Sequence, residues 1–163
     1  MKINLGGGEV KKEGFTNFDC VAFPTVDIVC DLTKGIPLPD SSVEEVYSAH
    51  FLEHLEDVPK MMKEIYRVCQ PNALVKIKVP YFKSIGAFKD PTHKSFFTEG
   101  TLEYFSCEKD KQSFYQNEMN FEEIKTSYIW SAPWIRFLPC KKFFLRHFWN
   151  IARTIHYELR VIK

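Results

Sequence analysis

The sequence has no CxxC pair, no apolar run approaching the length of a membrane span, and no basic, apolar and small-residue leader at its N-terminus. The first absence removes the usual zinc ribbon and thiol redox pair; the others remove a spanning helix and a secretory leader, so the expected location is the cytoplasm. Five cysteines (Cys20, Cys30, Cys69, Cys107, Cys140) are odd in number and widely spaced, and read as reduced thiols. An excess of either charge is also lacking, with 22 Lys and Arg against 21 Asp and Glu. A net charge of +1 gives weak support for a nucleic-acid partner, and none is expected. There is no P-loop, no GxGxxG and no HExxH, and no repeat, low-complexity stretch or linker.

The 163 residues with 45% hydrophobic content are read as a single domain, 1–163, with room for a proper core. Apolar segments alternate with turn signals. Lys2 to Leu5, Phe15 to Cys20, Val26 to Leu32, Val43 to Ala49 and Ala73 to Val79 read as five strands. Val58, Met61, Met62, Ile65, Val68 and Cys69 recur at helical spacing, with Asp57 as N-cap, Pro59 in the first turn and Pro71 as the stop. Thr98 to Ser106 predicts a short helix capped by Thr98, and Phe121 to Trp130 a sixth strand. Cys140 to Ile155 reads as an amphipathic helix with Phe144, Phe148, Ile151 and Ile155 on one stripe, followed by a seventh strand, His156 to Ile162.

This order implies an α/β fold with a mostly parallel sheet and right-handed crossovers. The first two connections are too short for full helices. One face is therefore expected to be thinly covered, by the aromatic C-terminal part or by a second subunit in a homo-oligomer.

Gly6, Gly7 and Gly8 follow the first strand. On their own they are either a flexible turn or a loop against which a ligand lies. In a doubly wound sheet, ligands sit at the carboxyl ends of the strands where strand order reverses, which is where these glycines fall. Asp19 and Asp31 end the next two strands, one placed for a sugar and the other near a base, as a nucleoside requires. The spacing of GGGEVKKEG does not fit a dinucleotide fingerprint.

At INLGGG, NFD, DLTKGIPLPDSSVEEVYSAHFLEHL and KEIYRVCQPNALVKIKVP, in that order, the chain resembles the class I S-adenosylmethionine-dependent methyltransferases, in particular the small type 11 group. DPTHKSFFTEGTLEYF resembles a segment of a subset of that group. The resemblance implies a Rossmann-like seven-stranded sheet, here with shortened covering helices near the N-terminus, and S-adenosyl-L-methionine as cofactor. It assigns Leu5, Gly6, Gly7 and Gly8 to the cofactor loop, the glycines against the methionine part. Asp19 then faces the ribose, Asp31 and the Leu32 backbone the adenine, and His50 the sulfonium end. Two departures stand out. CQPNA replaces a Pro-Gly-Gly turn, and Asn4 stands where many members have an acid, which predicts weaker cofactor binding.

His50 and His54 flank FLE at a spacing that can present two ligands, but no third ligand is near in sequence, so no metal is expected. His93, in KDPTHKSFF, is either a base toward a hydroxyl or amine acceptor or a structural histidine on the Asp-Pro turn. Tyr81, His93, Phe96, Phe97 and Trp134 are the expected acceptor pocket. SAHF stands where base-methylating relatives carry an Asn/Asp-Pro-Pro-Tyr-like motif, which leaves a small-molecule, sugar or lipid-linked acceptor. A non-catalytic nucleoside-binding scaffold is the alternative. The tail KKFFLRHFWNIARTI is read as a core helix or as a peripheral contact with an anionic membrane surface.

Overall fold

The computed structural model describes residues 1–106 and 119–163; Cys107 lies outside them. The strands are β1 (Lys2–Leu5), β2 (Thr16–Asp19), β3 (Ile28–Val29), β4 (Val43–Ala49), β5 (Cys69–Pro80), β6 (Phe121–Trp130) and β7 (Ala152–Val161). They form one sheet in the order β3-β2-β1-β4-β5-β7-β6. β1 to β5 run parallel, and β7 is antiparallel to both β5 and β6. The order reverses between β1 and β4, the place where doubly wound sheets bind ligands at the carboxyl ends of their strands.

Helix α1 (Val58–Val68) forms as its caps and spacing dictate. Asp57 accepts a hydrogen bond from the Lys60 amide at 2.8 Å, and Pro59 sits in the first turn. Val58, Met61, Met62, Ile65 and Val68 are buried, each contributing about 1.5–3 kcal/mol through burial. The helix ends at Cys69, before Pro71, and runs directly into β5. Pro71 and Asn72 lie in the irregular stretch between the Val43–Cys69 and Glu45–Leu74 pairs. Asn72 adopts the left-handed conformation (φ 65°) and stands in for a turn glycine. Beyond β5 lies α2 (Ile85–Lys89), capped by Ser84.

The core occupies one face of the sheet. Ile3, Leu5, Val46, Val75, Ile77 and Val79 pack there with α1, Tyr157 and Leu159. The intervening positions Glu45, Tyr47, Lys76, Lys78, His156 and Glu158 are partly exposed, and Glu45 pairs with Lys2 and Lys76 at 2.9 and 2.8 Å. The opposite face is thus a polar layer, as the alternation in VKIKV allows.

Three expected elements take other forms. Strand 3 shrinks to two residues, and Leu32 enters a 3-10 turn, Leu32–Lys34. The Thr98–Ser106 segment is a 3-10 turn over Leu102–Phe105, in which Thr101 Oγ1 accepts from the Thr98 amide. The largest correction is at the tail. Helix α3 covers only Lys141–His147, Asn150 turns left-handed (φ 58°), and Ala152 begins β7. Ile151 and Ile155 therefore share no helical stripe with Phe144. Two ladders of hydrogen bonds, to β5 and β6, outweigh the local helical periodicity. No helix among the described residues is long and apolar enough to cross a membrane.

Candidate functional site at the strand reversal

β1 ends in a turn folded sideways over β2. The amides of Gly6 and Gly7 both donate to Phe18 O, at 3.0 and 3.1 Å. The Gly8 amide donates to Asp19 Oδ2 at 2.9 Å, and the Val21 amide to Asp19 Oδ1 at 3.0 Å. Thr25 Oγ1 donates to Gly8 O at 2.6 Å. Asp19 is therefore the hub that shapes the glycine loop. Leu5 is fully buried in the core.

A polar layer carries the loop. Asn4 Nδ2 donates to Asn17 Oδ1 at 2.8 Å, and the Asn17 backbone amide and Nδ2 donate to Asp27 Oδ2 at 2.8 and 3.1 Å. These bonds hold the Asp27 carboxyl below the usual range. Asn4 thus supplies a donor that an acid at this position lacks. Sequence reading missed this layer, because it joins residues on two strands and a loop.

Asp31 caps the Leu32–Lys34 turn. Its Oδ1 accepts from the Thr33 hydroxyl at 2.6 Å and the Thr33 amide at 3.1 Å, and Lys34 lies 3.3 Å away. The Thr33 bonds keep its carboxyl ionised below the usual range. Asp31 borders a cavity of about 760 Å³ with Cys30 and Lys34. Leu32 is buried and borders a second, of about 440 Å³, with Thr33 and His54.

His50 leaves β4 in the left-handed conformation (φ 55°), its amide bonded to Lys78 O. Its Nδ1 lies 3.1 Å from Glu53 Oε1, and its ring is more than half exposed. Phe51, the next residue, packs directly on Gly6. His93 is nearly buried, with Nδ1 2.9 Å from Ala87 O and Nε2 3.9 Å from Asp90 Oδ2. His50, Glu53, His54 and His93 border one cavity of about 910 Å³ beyond the ends of β4 and β5.

The expected acceptor pocket divides. Tyr81 and Phe97 are core residues, and the Tyr81 hydroxyl donates to Glu99 Oε1 at 2.9 Å. Burial and the Glu99 carboxylate raise its pKa above the usual phenol range. Tyr81 borders a different cavity, of about 760 Å³, with Glu99, Tyr128 and Trp130. Phe96 is exposed and stacks on Phe88 at 4.7 Å, and Trp134 is exposed on a 3-10 turn, Pro133–Phe137. His54 lies with Glu53 and His93, so a third neighbour that is not near in sequence is supplied by the chain after β5.

Residues 9–77 match the methyltransferase domain family. A relative from Mycolicibacterium smegmatis bearing the description "Probable S-adenosylmethionine-dependent methyltransferase" is 30% identical over 76 residues, 47% of this chain and 30% of that protein. The chain thus spans about a third of the length of this curated relative. Among solved structures, an S-adenosylmethionine-dependent methyltransferase from Archaeoglobus fulgidus superposes with a TM-score of 0.69 at 17% identity, over 98% of this chain and 85% of that one. One from Mesorhizobium loti gives 0.63 at 14%, over 98% and 90%. The 4+2 cyclase SpnF gives 0.63 at 12%, over 99% and 74%, so this fold also carries other chemistry.

The sheet order gives the chain the Rossmann-like fold shared with these methyltransferase structures. Within that fold, residues 9–77 carry the sequence likeness to the methyltransferase domain family and to the S-adenosylmethionine-dependent methyltransferase relative.

Proposed function

We propose that the protein binds S-adenosyl-L-methionine and transfers its methyl group to an oxygen or nitrogen atom of a small-molecule, sugar or lipid-linked acceptor. The observation that carries this reading is the Gly8 to Asp19 hydrogen bond at the strand reversal, which sets a carboxylate and a glycine loop side by side at the place where such folds bind nucleosides.

The residues fit the cofactor. A methyl group added at Gly8 would meet nothing within 4 Å, so the loop leaves room for close approach. Asp19 and Asp31 offer acceptor oxygens for ribose hydroxyls and an adenine amine, and His50 stands beside Phe51, directly after β4. The bound cofactor supplies a methyl group already activated on a sulfonium, so the chain's task is chiefly to orient and to exclude water. His93 is assigned to the acceptor end, as the base toward a hydroxyl or amine acceptor. A cytoplasmic setting and an acceptor other than nucleic acid belong to this reading.

Calorimetric titration with S-adenosylmethionine and S-adenosylhomocysteine, with NADH as control, tests it. Both sulfur nucleosides should bind and NADH should not, and Asp19→Ala and Asp31→Ala should each abolish binding. Silence from the intact protein would end the methyltransferase reading. A second reading, a nucleoside-binding scaffold, is favoured by the helix-free connections of β1 to β2 and β2 to β3. Binding without transfer across an acceptor panel would select it.

A further inference from the structure

Glu53 lies on the 3-10 turn Leu52–His54, with its side chain 2% exposed. Its Oε1 meets His50, while Oε2 is buried with no hydrogen-bond partner among the described residues. A carboxylate oxygen left in that state carries a desolvation cost that a bound cation would remove.

Two imidazoles stand beside it. His54 Nδ1 lies 2.9 Å from Thr92 Oγ1, and that hydroxyl gives its single proton to Asp90 Oδ1 at 2.7 Å. The hydroxyl must therefore accept from His54, which fixes the proton on Nδ1 and the lone pair on Nε2. His93 Nδ1 faces a carbonyl, Ala87 O, and can only donate to it, so its lone pair is also on Nε2. Such bonds on the far nitrogen are what orient metal-ligating histidines.

The three residues are held together by backbone. The amides of Lys94 and Ser95 both donate to Glu53 O, at 2.8 and 3.1 Å. The His54 and His93 rings meet edge to face at 4.8 Å. One ligating atom from each of Glu53, His54 and His93 lies within 4.8 Å of the others. Ligand bonds of about 2.1 Å require neighbouring donors about 3–3.5 Å apart, so small side-chain rotations close the site.

We propose that Glu53, His54 and His93 bind one divalent transition-metal cation. Two imidazole nitrogens and one carboxylate suit zinc, cobalt, manganese or iron rather than calcium or magnesium. All three residues border the 910 Å³ cavity, so the ion keeps coordination positions for a ligand held there. If the methyl-transfer reading holds, on which this one consequence rests, an acceptor hydroxyl on the ion would release its proton to water in the cavity more easily, its oxygen would then take the methyl group from the sulfonium, and His93 would serve as a ligand rather than as a base.

The test uses the intact chain, freed of metal by chelator and containing no nucleoside, so that it is independent of cofactor binding. Co²⁺ is titrated with detection by visible absorption, and Zn²⁺ by calorimetry. One ion per chain should bind, with ligand-field bands from cobalt. Glu53→Gln, His54→Ala and His93→Ala should each weaken binding at least tenfold, while the exposed His147→Ala should leave it unchanged. Circular dichroism identifies any variant that fails to fold, and the remaining variants then carry the comparison. Absence of saturable binding by the intact protein overturns the proposal, as does binding that survives all three substitutions or falls equally with His147→Ala.

Discussion

A β-carbon placed on Gly6 would lie 2.6 Å from the Phe51 β-carbon, so the first glycine of the loop is kept bare by the chain leaving β4. Gly6 also has φ +69°, and Gly8 has φ +53° but open space around it. The two glycines therefore serve different ends, one packing and one access.

Gly6→Ala should cost more than about 2 kcal/mol, since the left-handed conformation and the clash with Phe51 add. Gly8→Ala should cost only about 1 kcal/mol and lower nucleoside affinity instead. Urea denaturation of both variants, paired with calorimetry, separates these effects; equal stability losses would contradict the division.

Asn4→Asp should destabilise the fold by about 1–3 kcal/mol. The new carboxylate would face Asn17 Oδ1, and turning the Asn17 amide to meet it would surrender the bonds to Phe15 O and Asp27. Denaturant midpoints at neutral pH measure the loss. An unchanged midpoint would mean that the polar layer rearranges freely.

Asp19→Asn retains an oxygen for the Gly8 amide but loses the charge. Fold stability should fall by less than about 1 kcal/mol, while S-adenosylmethionine affinity should drop roughly 10- to 100-fold, the range for hydrogen bonds to a charged group. Titration calorimetry on the folded variant reads this directly, and an unaltered affinity would remove Asp19 from the binding site.

His156 gives the protein a pH dependence. Burial of its ring, reinforced by Lys78 and His50 and opposed by Glu158, pushes its pKa down to about 4 from an ordinary 6.5. The unfolded chain then binds more protons than the native one between these values. The stabilisation is complete above about pH 6.5 and is lost as pH falls toward 4. Allowing for solvent screening, the effect should be about 1–2 kcal/mol. Denaturation midpoints across this window should show it in the native protein and a smaller decline in His156→Gln; parallel declines would assign it to other groups.

Sequence alone determined α1 with its Asp57 cap, the strands β1, β4 and β6, the glycine turn and the carboxylate of Asp19 at the end of β2. These rest on short-range physics: capping, periodicity and turn chemistry act between residues a few positions apart. Only the tertiary structure decided the rest. Residues 152–155 fell within the expected helix, and pairing with β5 and β6 placed them in a strand instead. Glu53, His54 and His93 looked unconnected until the turn after β4 and the chain after β5 were bonded together. The acceptor pocket divided because Tyr81 and Phe97 are claimed by the core. In each case the outcome depends on burial and hydrogen bonds between segments distant along the chain, which no local pattern encodes.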